Sequence, residues 1–148
     1  MDYSPILIPV VALVAWSLLM MLWMFAARFP AMRKAGISLK GRVGSRGAQL
    51  DGVVDDSAQW KSHNYNHLME QPTLFYAIAI TLALMDFGGG PNYWLAWGYV
   101  AFRILHSIVQ STVNVVTYRF TLFLLASLCL MALTLHAGLK ILHDCGVI

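Results

Sequence analysis

From Ile6 to Ala27 the chain runs 22 residues without a charge, broken only by Pro9 near the start. A helix crossing a bilayer takes about 20 mainly apolar residues, so this run is long enough to span. A cleaved secretory leader is the rival expectation. It fails because Met1-Asp2-Tyr3 carry no positive charge, and because the run exceeds the roughly 7–15 apolar residues of a leader. The first run is expected to be a transmembrane helix.

The rest of the chain agrees with a lipid solvent. Of its 148 residues, 59% are hydrophobic and 11% charged, against roughly 45–50% and about 25% in soluble domains. That excess excludes a disordered chain, a disulfide scaffold and a conventional cytosolic enzyme. A net charge of +3 is too small and too local to argue for nucleic acid as a partner. Cys129 and Cys145 would lie about 24 Å apart on one helix, too far for a disulfide.

The expected fold is one all-α integral membrane domain over residues 1–148, a four-transmembrane-helix bundle. Its helices fall at about 5–28, 57–85, 92–116 and 119–143, with one loop at about 29–56. The loop carries Arg28, Arg33, Lys34, Lys40, Arg42 and Arg46, then Asp51, Asp55 and Asp56. Glycines at 36, 41, 44, 47 and 52 argue against a continuous helix there. Pro72 frees a carbonyl and kinks the second helix, which Asp86 and Gly88-Gly89-Gly90-Pro91 stop. A tight turn near Thr117 leads into the fourth. Seven of the ten Lys and Arg lie from Arg28 through Lys61, so the long loop is expected on the cytoplasmic side and both termini on the other.

Ionisable residues at membrane depth are costly and usually face a bundle interior or a wet cavity. Here they form two stripes. His63, His67, Glu70 and Leu74 share one face of the second helix, with Asn66 beside them; Arg103, His106, Gln110 and Asn114 share one face of the third. Antiparallel neighbours hold residues of constant index sum at one depth. Glu70 with Arg103, His67 with His106 and His63 with Gln110 all give 173. This arithmetic predicts a Glu70–Arg103 ion pair as the floor of a polar cleft, within one subunit or across a boundary. Interhelical polar contacts average well under about 1 kcal/mol, so glue alone is a poor reason for so many polar side chains in one layer. The spacing of His63, His67 and Glu70 also suits a helical metal site. Arg103 competes for the carboxylate and no second Glu-x-x-His occurs, so no metal is expected. Paired half-helices and internal repeats, the signs of a transporter, are not found either.

The segment Asn64-Tyr-Asn-His-Leu-Met-Glu70-Gln-Pro72-Thr-Leu-Phe75-Tyr76 resembles the second-helix motif of the membrane-associated proteins in eicosanoid and glutathione metabolism (MAPEG). Arg103-x-x-His106-Ser-x-x-Gln110-x-x-x-Asn114-x-x-x-x-Arg119 resembles that family's third helix and the turn after it. The resemblance covers nearly the whole chain and points to a bacterial-type member in the inner membrane. It implies a homotrimer with glutathione as co-substrate between subunits near the cytoplasmic face. The implied activity is that of a transferase or peroxidase acting on lipophilic electrophiles or hydroperoxides delivered from the lipid. Arg119 takes the position that stabilises the glutathione thiolate, and His63, Asn66, His67, Glu70, Arg103, His106 and Gln110 are the expected binding residues. The chain departs from the pattern at Asn66 and His67, where glutathione users often have Arg and Asn, at Gln110 for a Tyr, and at Phe120 for a hydroxyl residue. A non-catalytic lipid-binding or scaffold protein on the same fold is the alternative.

Overall fold

The computed structural model describes residues 3–41, 43–44 and 46–147. Met1 and Asp2 of the leader argument and Arg42 of the loop charges lie outside the described residues. Among the described residues there are five α-helices and no strand: α1 (Leu7–Lys34), α2 (Asp56–Leu68), α3 (Pro72–Leu84), α4 (Pro91–Ser111) and α5 (Val116–Asp144), with a short 3-10 turn at Gly47–Leu50. Helices α2 and α3 together make one leg, so the bundle has four legs in the expected order.

The first leg runs past Arg28 to Lys34 and contains Pro30. It ends because Gly36 adopts φ +68°, a conformation that costs glycine little. The Gly36 amide then donates to the Arg33 carbonyl (3.1 Å) and the Ile37 amide to the Met32 carbonyl (2.9 Å), closing the helix in a left-handed cap. Ile37 folds back onto Met32, which packs with Leu50 and Val54. The expected long loop is therefore pinned at both of its ends. Arg28 donates to the Ser62 hydroxyl and to the Gly47 carbonyl, each at 3.0 Å. Asp51 accepts from the Gln59 amide and stands 3.0 Å from His63 Nε2. The Gln59 hydrogen bond, aided by His63, holds the Asp51 carboxyl below the ordinary aspartate value.

The second leg is broken rather than kinked, across Met69–Gln71. Pro72 has no amide hydrogen for the helix before it but suits the first position of a new one, and it occupies that position in α3. Helix α4 touches α1, α2 and α5 and so forms the spine of the bundle. Phe75 and Tyr99 stack at 4.4 Å between ring centroids, within a core that includes Leu13, Leu82 and Leu133. Small residues let the helices approach: Ala79, Ala96, Ala126 and Ala137 are buried, and a Cβ on Gly98 would come within 3.3 Å of Cys129 Sγ. Outward faces are apolar and exposed, as at Val11, Leu18 and Leu22 of α1 and Leu128, Met131 and Leu135 of α5. Among the described residues, α1 and α5 are the helices long and apolar enough, by length and composition, to cross a membrane. Arg103, His106 and Gln110 interrupt α4, and the break divides the second leg, so neither is a candidate on that measure alone. Helix α4 stops at Ser111, short of the expected 116. The connecting turn is centred on Asn114 (φ 53°) rather than Thr117.

Candidate functional site

The site grows out of the break in the second leg. In a continuous helix the His67 carbonyl would accept the Gln71 amide. With α2 ending at Leu68, that carbonyl accepts instead from Arg103 Nη2 on α4, at 2.8 Å. The same nitrogen lies 3.0 Å from His67 Nδ1. A cation at the last carbonyls of a helix is favoured by their partial negative charge. Arg103 is fully buried, and its Nε and Nη1 have no hydrogen-bond partner.

One turn along α4, His106 faces His67 with ring centroids 4.9 Å apart. Phe123 of α5 closes over the pair, edge-on to His67 at 5.5 Å and tilted 6.5 Å from His106. Arg119 comes from the first turn of α5. Its Nη1 donates to Asn114 Oδ1 at 2.7 Å, and its Nε is buried without a partner. Asn114 thus both turns the chain and clasps the arginine. Around these groups lies a cavity of about 200 Å³, lined by His67, His106, Val116, Arg119, Phe120 and Phe123. The Arg119 guanidinium lines this cavity beside the Phe120 and Phe123 rings, while Arg103 does not line it and lies fully buried against His67.

The expected residues divide into two sets. His67, His106, Arg103 and Arg119 are brought together, and the level pairing of His67 with His106 is met. His63 stands one turn of α2 away, bound to Asp51 outside the cavity. Asn66 and Glu70 are exposed. Gln110 is buried with its Oε1 unpartnered; the hydrogen bond that ties α2 to α4 near it joins Asn64 to Ser107 at 2.7 Å. The Glu70–Arg103 ion pair is not formed within the protomer. Glu70 sits in the break, off the helical face that equal rise presumes, and Arg103 turns to His67. No three His, Cys, Asp or Glu side chains come together to hold a metal among the described residues.

Sequence reasoning passed over Gln71 and Phe123. Gln71 Nε2 donates to Ser127 Oγ at 2.8 Å and its Oε1 faces the Tyr99 hydroxyl at 3.5 Å, tying the break to α5 and α4. Its place beside Pro72 was the available signal. Phe123 gave none, being one apolar residue among many on α5. A model of the MAPEG family matches residues 6–139 of the chain. No curated protein and no solved structure matches it.

Proposed function

The chain belongs to the MAPEG family, and from that premise we propose that it is a membrane-bound, glutathione-dependent transferase or peroxidase acting on lipophilic electrophiles or hydroperoxides. The observation that carries this reading is the pair of arginines, Arg103 and Arg119, with buried, unpartnered N–H groups beside the His67–His106 pair. A thiol of pKa about 8.5 is mostly protonated at neutral pH, and a guanidinium close to it favours the thiolate. A guanidinium beside a thiolate offers a planar fork of N–H donors, and Arg119 is the group offered to the sulfur. In conjugation the thiolate attacks an electrophilic carbon and the leaving group departs. In peroxide reduction two glutathiones yield a disulfide, an alcohol and water. The histidines, Arg103, Gln110, Glu70, Asn66 and His63 are the groups offered to the carboxylates and the ammonium of glutathione.

The cavity of about 200 Å³ is smaller than the roughly 300–1,000 Å³ of ordinary ligand sites. Asn66 and Glu70, exposed on the protomer, would be costly facing lipid. Both observations support a homotrimer in which a neighbour supplies the missing wall. All four legs then cross the membrane, with the basic loop cytoplasmic and the termini opposite, as in a bacterial inner membrane. A detergent-corrected mass of three chains by light scattering is expected; one or two chains would end the trimer reading. The chemistry is tested with glutathione plus a hydrophobic aryl halide, and separately with an organic hydroperoxide. Arg119→Lys keeps the charge but loses the planar fork, so turnover should fall about tenfold or more while glutathione binding survives. The scaffold reading draws on Phe120, exposed where a hydroxyl residue would assist the sulfur. Binding of glutathione with neither activity would favour it.

A further inference from the structure

Of the basic residues around the end of α1, some are used inside the protein and some are not. Arg28 is spent on Ser62 and Gly47, and Lys34 pairs with Asp55 at 3.4 Å. The side chains of Arg33 and Lys40 have no hydrogen-bond or ion-pair partner among the described residues. Both line a cavity of about 730 Å³, formed where the chain turns back after Gly36 and walled by Phe29, Pro30, Ile37 and Leu39. Phe29 and Leu39 are 54% and 61% exposed. Two free cations above apolar walls, at the end of a membrane-spanning helix, match a molecule with an anionic head and a hydrocarbon body.

We propose that this cavity binds one anionic phospholipid, its phosphate between Arg33 and Lys40 and the upper part of an acyl chain against Phe29 and Leu39. Charge complementarity selects this occupant: the cavity offers two cations and no carboxylate among its lining residues. Basic residues next to a span attract anionic headgroups, each worth about a fivefold gain in binding. The Ser38 hydroxyl accepts the Lys40 amide at 3.1 Å, a hydrogen bond within the turn that lines the cavity along with Arg33. The site lies outside the residues given to glutathione, and it needs the loop to sit at a membrane surface, on whichever side.

The test is native mass spectrometry of the full-length protein in detergent, titrated with short-chain phosphatidylglycerol or with phosphatidylcholine of the same length. The wild type should retain phosphatidylglycerol in preference. Arg33→Gln combined with Lys40→Gln should weaken that retention roughly 30-fold and leave phosphatidylcholine binding unchanged. Lys34→Gln, which removes a cation already paired, should retain the preference. A matching thermal shift in nanodiscs of either lipid keeps the comparison valid whether or not glutathione binds. Equal retention of the two lipids by the wild type, or an unchanged preference in the double variant, would overturn the proposal. So would equal protection by inorganic phosphate, which would assign the cavity to a free anion.

Discussion

Helices α2 and α3 are each 13 residues long and belong to one leg, yet they are held by different physics. Helix α3 carries no charged residue and docks by packing, with Phe75 against Tyr99 and Ala79 and Leu82 buried. Helix α2 is polar and is held by named hydrogen bonds: Ser62 from Arg28, Asn64 to Ser107, and the His67 carbonyl from Arg103. The seam between them lies where one mode gives way to the other, and the candidate site lies at that seam. A break in a buried helix exposes backbone carbonyls that must find donors. Here the donor is also a cation with N–H groups to spare, so the repair of the backbone positions the charge.

This contrast ranks the expected effects of substitution. Arg103→Met should be the more damaging, because the His67 carbonyl is left without its donor in a buried setting, a loss of about 2–3 kcal/mol. Phe75→Leu removes a stacked ring but keeps an apolar side chain, and should cost about 1–2 kcal/mol. Thermal unfolding in detergent measures both. An order reversed, with Phe75→Leu the worse, would mean that packing and not the arginine holds the seam.

The smallest effect belongs to the loop. Asp51, held acidic chiefly by the Gln59 hydrogen bond, fastens residues 47–55 to α2. A carboxyl with a depressed folded-state pKa contributes stability that is present above its unfolded value and is lost as pH falls through the folded one. Hydrogen exchange in 47–55, corrected for the intrinsic rate, should thus stay slow from neutral pH down to the ordinary aspartate value of 3.8 and quicken below it. Asp51→Asn should quicken it already at neutral pH. A loop whose exchange rises at mildly acidic pH would instead assign the fastening to another group.

Much of this was legible in the residues, and the failures fall where regular helix stops or where a distant partner decides. Most of the uncharged run from Ile6 to Ala27 lies in α1, and the second leg ends at Leu84, where left-handed Asp86 caps it just ahead of Gly88 to Pro91. The constant index sum brought His67 to His106 but not His63 to Gln110, because His63 turns to Asp51. It failed for Glu70 and Arg103 because equal rise stops at Leu68. Pro72 marked the place, but whether a freed carbonyl kinks a helix or breaks it depends on a donor across the bundle, which local sequence does not reveal. The same holds for Asp51, whose partners Gln59 and His63 lie across a turn of irregular chain. At the end of α4, left-handed Asn114 stops the helix early, where periodicity alone continued it.

We propose that Arg119 and its neighbours form the receptor for the glutathione thiolate. Titration of the purified protein with glutathione, followed by thiolate absorbance at neutral pH, tests it most directly. A saturating thiolate signal is expected in the wild type and should be lost in Arg119→Ala, whose bound thiol returns toward its ordinary pKa of about 8.5. A wild-type protein that binds glutathione without any thiolate signal, or a signal of equal size in Arg119→Ala, would contradict it.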